Sequence, residues 1–314
     1  MDMDLDVAID DDLEIRVGTG GGDGPAVLLL HGFSNDRHVW RDVVSELPAG
    51  YRTVAPDLRG HGDSGWSIAG DYRPAAIARD LPVLLDALGL ERVSVVGHSL
   101  GGNVATLFAA EVPARVEALV LVDTGPSLCE DAWRWASGDA AGAARAFDSV
   151  DDYRALLALG YPFANEAALD RLARTSLVQR MDGRFEPKMD PLLLERTGSE
   201  EDWKDVEAQL WAALASLRCP TLVVRGERSA MFSRDVALEM TGKVLERGTL
   251  AAVAGAGHAI PLDAPAALGA LVAGFVDEHA MHPRPGAPGV REREETGCRR
   301  PPAPRPPGTI SPMP

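Results

Sequence analysis

Val95-Val96-Gly97-His98-Ser99-Leu100-Gly101-Gly102 is the stretch on which the reading of this chain turns. The unalternating apolar run Val93–Val96 reads as a strand buried on both faces. It stops at a glycine, and Ser99–Glu111 then reads as a helix. The junction contains G-x-S-x-G, the pattern of a serine carried on a tight strand-to-helix turn. A side chain at such a turn is strained and its neighbours must be small, which Gly97 and Gly101 satisfy. The helix that follows aims its first N–H groups and its dipole at the same place, favouring an anion there. A glycine-rich turn with an N-capping serine would give the same five letters. The buried strand before the motif and the helix after it favour Ser99 as a nucleophile.

The surrounding pattern repeats this unit. Leu5–Ile9 and Leu13–Val17 alternate around the polar Asp10–Asp12 and predict an edge hairpin. Gly18–Pro25 reads as a glycine-rich connector, and Ala26–Leu30 as a buried strand ending at His31-Gly32-Phe33. Residues 38–47 fit an amphipathic helix, Arg52–Ala55 a short strand, and 74–88 a helix that Pro82 interrupts. Val116–Val122 reads as a strand. Strand and helix alternating in this way imply βαβ crossovers and a mainly parallel sheet.

Strand signals then cease from about Gly125 to Leu217. Helical stretches are expected at Ala140–Phe147, Tyr153–Leu159, Glu166–Leu177 and Glu201–Leu217. This segment holds nine of the 17 aromatic residues, including Trp133, Trp135 and Tyr161. It reads as a helical cap over 125–217, inserted between a first core part, 1–124, and a second, 218–281. In the second part Thr221–Val224 and Thr249–Val253 read as strands, and Ser233–Met240 and 264–280 as helices. From His282 to Pro314 the chain has ten prolines in 33 residues and few large apolar side chains, a composition expected to stay disordered.

Three sites carry chemistry. An oxyanion forms when a serine attacks a carbonyl, and two preorganised N–H donors lower that barrier. With Ser99 on an elbow, one donor is the backbone of Leu100 and the other that of Phe33. The hydroxyl also needs a base. Among the seven histidines only His258 follows a late strand in a Gly-rich loop, Gly255-Ala256-Gly257-His258. The order serine, acid, histidine then applies.

His31-Gly32-Phe33, Asp57-Leu58-Arg59-Gly60-His61-Gly62-Asp63-Ser64-Gly65, Gly97–Gly102 and Gly257-His258 resemble, in order and spacing, the α/β-hydrolase superfamily over about residues 5 to 280. The similarity points to the branch of cofactor-free esterases, haloperoxidase-like enzymes, lactonases and carbon–carbon bond hydrolases. It implies an eight-stranded, mainly parallel, doubly wound sheet with an inserted cap. The family's acid usually follows the strand after the cap as G-x-x-D, but here that stretch is Gly226-Glu227-Arg228-Ser229. Asp123, at the end of the strand before the cap, and Glu227 are the two substitutes, with Asp123 preferred. His31, Trp133, Trp135 and Tyr161 are the candidate pocket residues.

Composition narrows the partners. At 314 residues, with 46% hydrophobic and 25% charged residues, the chain can build a large globular core. The net charge of -16 argues against nucleic acid. Cys129, Cys219 and Cys298 form no CxxC, so neither a disulfide framework nor a zinc site is expected, and a reducing, cytoplasmic setting fits. No segment reads as a signal peptide or a membrane span. No cofactor or metal is expected; the partner is a small-molecule acyl substrate, and self-association is left open. The cap's apolar residues suit a hydrophobic ester or lactone. A diketone or keto acid cleaved by the same triad would require a cap cation, with Arg134, Arg174, Arg180 and Arg184 as candidates. A ligand-binding receptor with little turnover is the reading outside the enzymes.

Overall fold

In the computed structural model, which describes residues 3–127, 146–195 and 200–279, the strand signals become one eight-stranded sheet. Its strands are β1 (Met3–Ala8), β2 (Glu14–Gly21), β3 (Ala26–Leu30), β4 (Arg52–Pro56), β5 (Val93–His98), β6 (Val116–Val122), β9 (Thr221–Gly226) and β10 (Gly248–Val253). The order across the sheet is β1-β2-β4-β3-β5-β6-β9-β10. β2 pairs antiparallel with β1 and with β4, and all other pairs are parallel. β2 runs on to Gly21, through half of the expected connector. Its glycines pair with Arg52–Ala55, and a Cβ at Gly21 would lie 1.6 Å from the Tyr51 carbonyl oxygen.

The parallel strands are apolar on both faces because both faces are covered. Leu28, Leu30, Val95, Leu119, Leu121 and Val223 join one core, with Ile77, Leu81, Leu85 and Phe108 from the helices on that side. Val27, Leu29, Val96, Val120, Val122 and Val224 join the other, with Trp40, Val43, Leu268 and Val272. Each such side chain contributes about 1.5–3 kcal/mol on full burial.

The helix expected over 74–88 divides into Pro74–Ala78 and Asp80–Ala87. Pro82 lies in the first turn of the second piece, where no N–H is needed, and its ring excludes a continuous helix through residue 78. The stretch 38–47 is likewise shorter and mixed, a 3₁₀ turn Arg37–Trp40 followed by a helix Arg41–Ser45.

Between β6 and β9 the described residues form helices Val150–Gly160, Glu166–Thr175, Leu192–Glu195 and Glu200–Ser216. The first two start on side-chain caps, Ser149 accepting from the Asp152 N–H and Asn165 from the Ala168 N–H. Contrary to the all-helical expectation, β7 (Leu177–Gln179) and β8 (Phe185–Pro187) form an antiparallel ribbon. Asp182-Gly183 turns it, with Gly183 at φ 87°. Ala168, Leu169 and Leu172 pack into the same apolar cluster as Trp40 and Ile260, joining this segment to the sheet's covering layer. The expectations for Trp133, Trp135, Arg134, most of Ala140–Phe147 and the segment after residue 281 fall outside the described residues. No described helix is long and apolar enough to cross a membrane.

Candidate active site

The C-terminal ends of β3, β5, β6 and β10 converge on one locality. Ser99 follows β5 at φ 51° and ψ -119°, a region that costs a non-glycine residue about 1–3 kcal/mol. The glycines around it are there for backbone approach. A Cβ at Gly97 would stand 2.4 Å from the Gly101 carbonyl oxygen, and one at Gly101 2.3 Å from that of Leu30. The helix start is thereby pressed against the end of β3. Gly32 belongs to the same contact, since its Cβ would lie 3.2 Å from that of Ser99.

His258 Nε2 lies 3.1 Å from Ser99 Oγ, and His258 Nδ1 lies 2.8 Å from Asp123 Oδ2. The Asp123 carboxylate is fully buried and has defined partners. Its Oδ1 accepts the Gly226 N–H at 2.8 Å, and its Oδ2 accepts the Ser229 hydroxyl at 2.5 Å as well as the imidazole. Ser229 Oγ itself accepts the N–H groups of Met231 and Phe232, both at 3.2 Å, so its proton is left for Asp123. Glu227, the other acid considered, is exposed and accepts the Gly255 N–H at 2.9 Å. The geometry thus brings Asp123, and not Glu227, to His258. Asp123 can act from β6 because β6 and β9 are neighbours, and Ser229 on the β9 side supplies a donor where the family's acid usually stands.

Phe33 and Leu100 are half-buried, and among the described residues neither main-chain N–H has a protein acceptor. Ser34, next to Phe33, holds φ 59°.

The pocket expectations fare differently. His31 is 0% exposed, so it is an interior cross-link and not a pocket wall. It donates Nδ1–H to the Gly32 carbonyl and accepts the Leu58 N–H on Nε2, tying the β3 turn to the 57–65 loop. Tyr161 is also buried, and its hydroxyl accepts from Asn35 Nδ2 at 3.1 Å. Of the four cap arginines considered, Arg180 pairs with Glu186 and Asp182, Arg184 pairs with Asp182, and Arg174 is exposed.

Burial keeps the remaining histidines of this region neutral. Desolvation, with His258 nearby, pushes His98 down to about 3; desolvation with His31 nearby does the same to His61. Sequence reasoning missed three groups at the site: Ser229, the His98 ring, whose Nε2 lies 2.9 Å from the His258 carbonyl, and Asp263, which accepts the Gly257 N–H at 2.8 Å. Ser229 and His98 were signalled, by the family's acid position and by the motif itself. Asp263 had no signal, since its role depends on how the loop folds back. No cluster of His, Cys, Asp and Glu among the described residues could hold a metal ion.

Residues 25–265 match the family model of the alpha/beta hydrolase fold, and the chain belongs to that family. Among characterised relatives it is 28% identical over 256 residues to 2-(acetamidomethylene)succinate hydrolase of Mesorhizobium japonicum, covering 82% of this chain and 89% of that one. It is 29% identical over 262 residues to an esterase of Mycobacterium tuberculosis, covering 82% and 84%. A solved E-2-(acetamidomethylene)succinate hydrolase superposes with a TM-score of 0.78 at 25% identity, over 88% of this chain and 99% of that one. The chain is also 46% identical over 104 residues to an uncharacterized Mycobacterium bovis protein, and the match spans 33% of this chain and only 30% of that protein's length. The two relatives matched over most of their length are named as a hydrolase and an esterase.

Proposed function

We propose that the chain is a serine hydrolase cleaving a small or medium hydrophobic carboxylic ester or lactone through an acyl-enzyme on Ser99. The observation that carries this is the unbroken series Ser99 Oγ, His258, Asp123 at 3.1 and 2.8 Å. His258 Nε2 takes the Ser99 proton as Oγ attacks the carbonyl carbon. The Phe33 and Leu100 N–H groups receive the oxyanion, each worth about 3 kcal/mol to the barrier. His258 then protonates the leaving alkoxide. In the second half it removes a proton from water, which attacks the acyl group and releases acid and Ser99. Asp123 holds the imidazole with Nδ1 protonated and stabilises the imidazolium, and the Ser229 hydroxyl and Gly226 N–H keep its carboxylate in place.

The test is hydrolysis of p-nitrophenyl esters from acetate to octanoate by wild type and by Ser99→Ala. Turnover that vanishes in the variant supports the reading, and the best chain length sizes the acyl pocket. A folded wild type inert to the whole series would overturn the ester reading. Similarity to a hydrolase named for a succinate derivative favours one second reading, an anionic substrate such as a keto acid cleaved by the same residues. Arg180 and Arg184 lend it no support, because both are already paired with carboxylates.

A further inference from the structure

A general base is useful only if its ring is held at the serine, and a ring can be no better placed than the backbone that carries it. Asp123 fixes the His258 ring. The main chain at the Gly257 N–H, just before His258, and at the His258 carbonyl is held by two other side chains that the mechanism above does not use.

Asp263 begins the hold. It sits at the end of the short helix Ile260–Asp263, and its Oδ2 accepts the Gly257 N–H at 2.8 Å. Its Oδ1 is buried with no hydrogen-bond partner among the described residues, an arrangement that costs stability. His98 completes the hold. Its Nε2 lies 2.9 Å from the His258 carbonyl, which can only accept, so Nε2 carries the proton. Nδ1 is correspondingly bare and unpartnered, and the ring is 2% exposed. His98 and His258 rings also lie 4.8 Å apart, tilted by 42°. The loop between the two holds cannot drift. A Cβ at Gly226 would be 2.0 Å from the Gly257 carbonyl oxygen, and one at Gly257 2.7 Å from the Phe163 ring.

We propose that Asp263 and His98 are positioning residues that clamp the main chain of the general base, Asp263 through the Gly257 N–H and His98 through the His258 carbonyl. The inference rests on His258 being the base of the proposed hydrolase. It makes the variable residue of the G-x-S-x-G motif a partner of the base as well as a neighbour of the nucleophile.

The experiment compares variants that remove each hydrogen bond with variants that keep it. Asp263→Leu fills the space without an acceptor, and Asp263→Asn retains one. His98→Phe keeps a ring without a donor, and His98→Gln restores an N–H. Steady-state constants are measured on the best p-nitrophenyl ester, and the low-field proton resonance of His258 Nδ1–H is followed by NMR. Asp263→Leu and His98→Phe are expected to lose about tenfold or more in kcat with KM little changed, because misplacement acts on the chemical step. Their low-field resonance is expected to broaden or vanish. Asp263→Asn and His98→Gln are expected to recover to within about threefold. Wild-type kcat in Asp263→Leu and His98→Phe would overturn the clamp, as would loss of cooperative melting in both, or an Asn variant as impaired as the Leu variant. Absence of ester turnover in the wild type would instead count against the hydrolase reading, and the resonance would still report on the clamp.

Discussion

Along the C-terminal edge of the sheet, Ser34, Ser99 and Asp123 hold positive φ, and they are the only non-glycine residues to do so among those described. In the segment between β6 and β9 the described backbone is unstrained, its helices start on ordinary caps, and Leu159 and Met181 are left largely exposed. The first region holds its strained residues at the candidate active site, above the apolar sheet. The second is held by ordinary amphipathic packing and by polar links to the core, such as Lys188–Asp63 at 2.7 Å and Arg171–Asp42 at 2.6 Å. Substitutions should therefore be felt steeply in the first region and weakly in the second.

The largest effect is expected at the triad. Ser99→Ala or His258→Ala should reduce kcat by about 10⁴-fold or more, read against the same ester. Asp123→Asn should cost about 10³–10⁴-fold, because the amide cannot hold the imidazole in the right tautomer, whereas Glu227→Gln should retain full activity. The reverse result would move the acid to the loop after β9. Next comes the elbow itself. Gly101→Ala places a methyl 2.3 Å from the Leu30 carbonyl oxygen, and a loss of about 3 kcal/mol in denaturant unfolding is expected. Ser229→Ala should cost about tenfold in kcat and about 1–3 kcal/mol in stability, since it removes a hydroxyl donor from the buried Asp123 and the acceptor of the Met231 and Phe232 N–H groups. A wild-type rate there would make Ser229 a filler of the loop. At the other extreme, Leu159→Ser in the insertion should change stability by less than about 0.5 kcal/mol.

Two acids, the buried Asp36 and the partly buried Asp263, sharpen the contrast through pH. Burial would raise Asp36, but bonds from His38 and Ser176 bring it down to about 2. Its contribution to stability is present above its unfolded value and lost as pH falls through 2. Asp263 is the opposite case. Burial pushes it up to about 6 against the Gly257 N–H. It favours the folded state below pH 3.8 and loses that contribution as pH rises through 6. Melting temperatures from pH 4 to 7 should fall more steeply in wild type than in Asp263→Asn, and parallel curves would show that Asp263 is already ionised at pH 4.

Much of the core was legible because its constraints act on the backbone and leave marks in residue type. Unalternating runs such as Val27–Leu30 and Val93–Val96 mean strands covered on both faces, and the glycines of Gly97–Gly102 mark backbone contact. Where the reading erred, the determinant was remote or local detail overrode the pattern. β2 extends through Gly21 because β4 offers it a partner, which no periodicity in a glycine run records. His31 looked like a pocket residue, yet its ring is consumed by Leu58 and Gly32 inside the fold. β7 and β8 are three residues each, too short to carry an alternating signal.

The sequence by itself determined the order of the eight strands of the main sheet along the chain, the Ser99 turn and the glycine-rich loop that carries His258, because each depends on neighbours within a few residues. The tertiary structure decided which acid meets that histidine. Asp123 and His258 are 135 positions apart, and the choice between Asp123 and Glu227 depends on β6 lying beside β9 with Ser229 turned inward. It also decided that His98 meets the His258 carbonyl and Asp263 the Gly257 N–H. Hydrogen bonds between distant loops are set by where the sheet places its strand ends, and no local spacing encodes that distance.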